Sequence, residues 1–504
     1  MKNAGILLHI SSLPSKYGCG SLGKEAYDFV DFLHKSHQKI WQILPIGPTS
    51  YGDSPYSAIS NFGFNFYFID LDLLVKDKLI NKEDLPKPFE AKRVDFDLLY
   101  NTRFDIYHKA YLNKHLFELE FEKFKKEEAY WLDDFSMYYI LKRMQEMKPW
   151  YYWYDDWKYR NYHSLEWLKN AKWEELDEFK FIQFLFYKQF IKLKEYANKK
   201  GILIMGDMPI YCAYDSSDVW ANTWLFQLNP DLTPKAVAGC PPDFFSPDGQ
   251  LWGNPLYDYN KMKETNYDFF IKRCKHSFKL FDILRIDHFR GFESYYSIPY
   301  GDTTARYGHW ELGPGYDLFK AINKEIKNAN IVAENLGFLT KEVNDLLKKC
   351  KYPGMKIFQF ELGNGKNAPI KKPFNENNIF YTGTHDNQTI MSFYNDLDSN
   401  YKKLVDSVCN ITFNDKPNLK IIEYAMNTSC NTVIIPFQDY IGLSDDLGRM
   451  NMPSTVSKSN WSYISKKYNY SNELIEYIKD ITIKSKRGWY IENIYYINWW
   501  LFSW

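Results

Sequence analysis

The chain has 504 residues, with 63 Lys and Arg against 63 Asp and Glu, so its formal charge is zero. That balance argues against nucleic acid or an anionic membrane surface as a partner, because both select basic stripes. The seven cysteines, Cys19, Cys212, Cys240, Cys274, Cys350, Cys409 and Cys430, are odd in number, scattered and without a CxxC pair, which disfavours a disulfide framework or a zinc motif and fits reduced thiols in a cytoplasmic protein.

The opening MKNAGILLHISSLP lacks a charged stretch followed by a long apolar run and a cleavage site, so it reads as a first strand and not as a signal peptide. Further runs of this buried type follow in chain order. Together they are Gly5–Ile10, Ile40–Pro45, Ile202–Gly206, Ile283–Ile286, Ile331–Ala333, Lys356–Phe360, Ile379–Thr382 and Thr432–Pro436. Eight such runs separated by helical stretches predict an α/β fold, a (β/α)8 TIM barrel formed by the chain 1–504 as a single catalytic domain. The gap between the second and third runs is too long for one helix, so an insertion of about 50–200, mostly helical, is expected there. Within it Ile182, Leu185, Phe186, Phe190, Leu193 and Ala197 recur at three- and four-residue steps, and Gly201 supplies a stop. A second insertion, about 211–265, is rich in Pro, Gly and aromatics and reads as a lid-like loop. No run of about 18 apolar residues occurs, so no membrane helix is expected. Aromatic residues make up 19% of the chain, with 16 Trp and 41 Tyr. Base-composition bias and stacking on sugar rings both fit that excess, and composition alone leaves the two open.

In a parallel barrel the reactive groups lie just past the C-terminal ends of strands. Asp207 follows the third run, Asp287 the fourth and Glu334 the fifth, and His385 and Asp386 follow the seventh closely. Any one of these acids is explained by capping of the next helix. Four at four strand ends, with Arg285 on the same strand face as Asp287, are not. Cleavage of a glycosidic bond needs one carboxylate to attack the anomeric carbon and one carboxylic acid to protonate the leaving oxygen. An adjacent arginine keeps the first ionised, and an apolar flank such as Ile331–Ala333 raises the pKa of the second.

The motifs around these acids are specific. RIDHFRG, AENLG and GTHDN, with SSLPSKYGCGSLG, WQILPIGPTSYGDSPYS, GDMPIYCAYDSSDVW, PPDFFSPDGQLWGNPLY and GRMNMPST, resemble the amylomaltase (4-α-glucanotransferase) family, relatives of the α-amylases. The resemblance runs in family order from about Gly5 to Trp461. It implies transfer of an α-1,4-glucan segment between 4-hydroxyls, with α-1,4-glucans as partners, no cofactor and no metal. By resemblance Asp287 is the nucleophile, Glu334 the general acid/base and Asp386 the transition-state stabiliser. Arg285, His288 and His385 match residues around the donor glucose, and Asp207 matches a structural or substrate-positioning acid. Ser54 and Tyr56 resemble donor-side contacts, Tyr51 part of a secondary glucan groove, and Gln250, Trp252 and Asn451 contacts lining the cleft. Phe244 and Phe245 stand in the segment that covers the acceptor side, where the family commonly has Tyr-Phe. Phe64 and Phe66 replace small or rigid residues of the family, so the groove shape there is expected to differ.

From Arg487 an aromatic tail, 487–504, has no family counterpart. Packing on the body is its first reading, with glucan or partner binding left open. A glucan hydrolase using the same acids and a non-catalytic glucan-binding descendant are the competing functions. The lid-like segment favours transfer over the former, and the intact acid triad disfavours the latter.

Overall fold

The computed structural model describes residues 2–50, 52–242, 247–337, 339–361 and 374–488. Twelve strands are present among them. They are β1 (Asn3–Leu7), β2 (Ile40–Gln42), β3 (Leu203–Met208), β4 (Ala236–Cys240), β5 (Gln250–Pro255), β6 (Ile283–Ile286), β7 (Ser294–Pro299), β8 (His309–Leu312), β9 (Ile331–Ala333), β10 (Met355–Ile357), β11 (Ile379–Tyr381) and β12 (Thr432–Pro436). Eight of them form one parallel sheet in the order β10-β11-β12-β1-β2-β3-β6-β9. These are the eight runs expected from the sequence, and the sheet curls into a nearly closed barrel.

Its seam lies between β9 and β10, where single hydrogen bonds replace a ladder. The Ala333 N–H donates to the Pro353 carbonyl at 2.9 Å. The Asn335 side-chain oxygen accepts from the Met355 N–H at 2.7 Å. A Cβ on Gly354 would meet that Asn335 oxygen at 2.7 Å, so the close approach requires glycine.

Strand boundaries shift in ways that matter for the site. The third strand extends through Asp207 to Met208, so Asp207 sits within the ladder opposite Arg285 and not beyond it. The first strand ends at Leu7, and Ile10–Ser12 form a 3-10 turn. The sixth ends at Ile357, and Phe358–Glu361 are helical.

Between β2 and β3 run the helices Leu71–Lys76, Phe96–Leu112, Glu118–Met144, Tyr162–Ala171 and Trp173–Lys199. In the last of these the six periodic apolar residues are all buried. It stops where Gly201 takes φ +76°, a conformation that costs glycine little. Phe64 and Phe66 are buried against this region. Phe64 stacks on Phe186 at 4.9 Å and Phe66 packs on Phe104 at 5.1 Å. Their bulk is therefore taken up in packing against the helices.

The 211–265 region carries more order than its composition suggests. It supplies β4 and β5 to a second, antiparallel sheet in the order β5-β4-β7-β8. Val237, Tyr296, Ile298 and Ala305 form its own small buried cluster. Its short strands interleave with Gly and Pro, which conceals the period-two signal.

Candidate active site

Arg285 is the hub. Its inward-facing position on β6 brings it opposite Asp207 of β3, and both side chains are buried. One guanidinium nitrogen donates to both Asp207 oxygens at 2.7 Å. Another reaches Asp287 Oδ1 at 2.9 Å. Burial works against the charge on Arg285, but the Asp207 and Asp287 charges outweigh it and hold the guanidinium protonated. Asp287 therefore has one oxygen engaged by a cation, and its side chain keeps 27% of its surface exposed.

Glu334 follows β9 and is buried. Its Oε2 accepts from the His288 N–H at 2.8 Å and its Oε1 from the Leu336 N–H at 2.6 Å. Burial, seconded by the Asp287 charge, pushes its carboxyl up to about 7 against the pull of Arg285 and the two N–H donors. His288 takes φ +45°, turning the chain sharply so that its N–H meets Glu334. Its Nε2 has no hydrogen-bond partner among the described residues, and burial lowers the ring's pKa to about 4, leaving a neutral imidazole. The Trp252 ring meets His288 edge-on at 4.8 Å, and the Trp252 N–H donates to Gln250 Oε1 at 3.0 Å.

Across the mouth, Asp386 lies past β11. Asn451 Nδ2 donates to its Oδ1 at 2.7 Å, and His385 Nε2 lies 3.2 Å from its Oδ2. Desolvation at the mouth works to raise this carboxyl, although its side chain keeps 48% of its surface exposed. The His385 charge and hydrogen bond, the Asn451 donor and the Arg285 charge prevail and hold it down at about 2. Conversely, His385 loses solvation by burial, yet Asp386 raises its pKa above the usual value. The Tyr56 hydroxyl donates to Asp207 Oδ2 at 2.7 Å and lies 3.4 Å from His385 Nδ1. The Tyr56 and His385 rings stack at 4.8 Å. One polar chain thus runs Asp287, Arg285, Asp207, Tyr56, His385, Asp386.

Ser54 is placed as a cap, its hydroxyl accepting from the Tyr56 N–H at 3.2 Å. Tyr51, Phe244 and Phe245 lie outside the described residues. Three neighbours escaped the sequence reading. Trp461 packs 5.8 Å from both Tyr56 and His385. Arg449 donates to the Asp386 carbonyl at 3.4 Å and pairs with Asp445 at 2.9 Å. Tyr381 donates to Gln42 at 2.9 Å beneath the cleft. Arg449 is legible from its place two residues before Asn451, whereas Trp461 had only its residue type to mark it. No group of three or more His, Cys, Asp or Glu side chains suited to a metal occurs among the described residues.

A parallel barrel with carboxylates, an arginine and histidines converging at its C-terminal strand ends defines a barrel enzyme with acid–base chemistry. The comparisons with known proteins narrow that class. A family model described as 4-alpha-glucanotransferase matches residues 8–468. The 4-alpha-glucanotransferase of Clostridium butyricum is 44% identical over 482 residues, covering 94% of this chain and 99% of that protein. That of Thermus thermophilus is 38% identical, covering 91% and 94%. The structure of amylomaltase from Streptococcus agalactiae in complex with acarbose is similar with a TM-score of 0.93 at 37% identity, covering 97% of this chain and 100% of that one. The chain belongs to the 4-α-glucanotransferase family.

Proposed function

We propose that the protein is a 4-α-glucanotransferase that cleaves an α-1,4 bond in a maltodextrin or in a starch or glycogen fragment. It then passes the freed segment to the 4-hydroxyl of glucose or another α-1,4-glucan. The observation that carries this reading is the pairing of an arginine-held, partly exposed Asp287 with a buried Glu334 raised to about 7.

Asp287 attacks the anomeric carbon through the oxygen Arg285 leaves unengaged, while protonated Glu334 gives its proton to the leaving glycosidic oxygen. The resulting glycosyl ester no longer carries the Asp287 charge, which removes one of the two causes raising Glu334. Its pKa then falls, and the carboxylate can take the proton of an incoming 4-hydroxyl. That hydroxyl attacks the anomeric carbon, Asp287 leaves, and one glycosidic bond has replaced another with retained configuration. The ionised Asp386 faces the positive charge that develops on the sugar ring. His288 Nε2 and His385 supply polar contacts for sugar hydroxyls, and Tyr56 and Trp252 supply aromatic walls.

Donor and product bonds are alike, so the exchange needs no energy input. The residues that hold the reacting groups are all supplied by this chain. The seven cysteines form no disulfide among the described residues, which fits a reducing, cytoplasmic setting. Among the described residues no helix is long and apolar enough to cross a membrane.

The test uses two variants. Asp287→Asn should abolish turnover, because an amide does not attack the anomeric carbon. Glu334→Gln should stall with maltotriose yet still react with an α-glycosyl fluoride, whose leaving group needs no proton. Near-normal turnover by Asp287→Asn would remove the nucleophile assignment.

A further inference from the structure

Outside the cleft, the helical insertion, the segment after β3 and the helix Asp268–Leu280 line an open cavity that shares no residue with the groups described above. We infer that this cavity is a further saccharide-binding site beyond the cleft, which holds a remote part of an α-glucan chain. The inference deepens the proposed function and rests on it for the identity of the sugar.

Its rim carries two large, partly exposed aromatic side chains, Trp224 at 50% and Tyr130 at 41% exposure, with the Lys279 ammonium 5.6 Å from the Tyr130 ring centre. Tyr130 is fixed in place. Phe62 meets its ring edge-on at 5.8 Å, and its hydroxyl lies 3.2 Å from His276 Nδ1. Trp224 stands on a 3-10 turn, Thr223–Leu225. Rigid amphipathic rings at the rim of an open pocket suit a small polar ligand with one apolar face, which a pyranose ring is.

The polar lining selects a neutral ligand. Asp134 is paired with Arg160 at 2.6 Å, and that guanidinium carbon lies 4.2 Å from the centre of the Trp220 ring. Lys272 is paired with Asp268 at 2.7 Å. The surface charges of the lining are thus matched within the protein. The buried Asp218 accepts from the Asn61 N–H at 2.8 Å and the Asn61 side-chain amide at 3.4 Å, both through Oδ2. Acceptor capacity remains on that carboxyl for a hydroxyl donor. A polyol that stacks on Trp224 and Tyr130 and donates to acids satisfies this lining, whereas a charged ligand finds no unmatched surface partner.

The experiment measures glycogen binding by retardation in native gels, on an Asp287→Asn background so that no glucan is consumed. Kinetics with maltotriose are measured on the otherwise intact enzyme. Trp224→Ala with Tyr130→Ala should weaken glycogen retention on the order of two- to tenfold, the scale of losing aromatic contacts. The same pair should leave kcat and KM for maltotriose unchanged, and Trp224→Phe should restore most of the retention. Unchanged retention in the double Ala variant overturns the site. So does an equal loss with maltotriose, which would make the cavity part of the cleft. If the intact enzyme fails to act on maltotriose, the proposed function fails, and the retention result still decides the site.

Discussion

Glu334 must hold a proton to release a leaving oxygen and give it up to activate an acceptor hydroxyl. Burial and the Asp287 charge raise its pKa to about 7, so the protonated form is present below that pH and lost as pH rises through it. The alkaline limb of kcat/KM should therefore fall near pH 7, and Glu334→Gln, assayed with a glycosyl fluoride, should lack that limb. A limb of unchanged position in the variant would assign it to another group. Asp386 titrates far lower and depends on a different donor. Asn451→Ala removes the 2.7 Å hydrogen bond to its carboxylate, a charge-assisted contact. Its loss should cost about tenfold to about a hundredfold in kcat/KM, read in initial-rate kinetics. An unaltered kcat/KM would show that His385 alone holds Asp386. The acids were legible from their places after buried runs. Their unequal pKa values were legible only in part, since the apolar flank of Glu334 is written in the sequence but its two N–H donors are not. The turn at His288 that aims one of them has no sequence mark, because a left-handed φ at histidine is uncommon.

The eight barrel strands were legible as elements because buried parallel strands read as continuous apolar runs. Their ends were less so, since Asp207 continues a strand whose apolar pattern has already stopped. The antiparallel sheet escaped notice for the opposite reason, its short strands being spread over two segments that pair across distance. Two contacts between elements lead to predictions. Gly354→Ala drives a Cβ into the Asn335 amide at the seam, one residue from Glu334. It should lower both the thermal midpoint and kcat, whereas a fall in the midpoint alone would uncouple the seam from the site. Arg487 is fully buried, and its guanidinium donates to the carbonyls of Met426, Thr428, Asn431 and Asn3 at 2.7 to 3.4 Å. It ties the end of the described chain to the start of β1 and the loop before β12. Arg487→Ala leaves these carbonyls without their donor and should cost at least about 2 kcal/mol, seen as a lower thermal midpoint. Activity per folded molecule should be unaffected. Positions 489–504, most of the aromatic tail, lie outside the described residues.

At the scale of the whole molecule, the barrel holds the acids while the antiparallel sheet carries the connection 241–249 between β4 and β5, with Trp252 of β5 set against His288. Phe244 and Phe245, which lie outside the described residues, are expected from the family resemblance to keep water from the glycosyl-enzyme. Replacing both with Ala should raise hydrolysis relative to transfer while bond cleavage falls less, and Phe244→Tyr should leave hydrolysis equal or lower. Equal ratios in all three proteins would mean that water is excluded elsewhere. The most direct measurement of the central claim follows wild-type protein with maltotriose as sole substrate, recording free glucose, longer maltodextrins and total reducing ends together. Glucose and a ladder of longer products should appear while total reducing ends stay constant, because each cleaved bond is replaced by a new one. Shortening of maltotriose with steadily rising reducing ends, and no longer products, would contradict it.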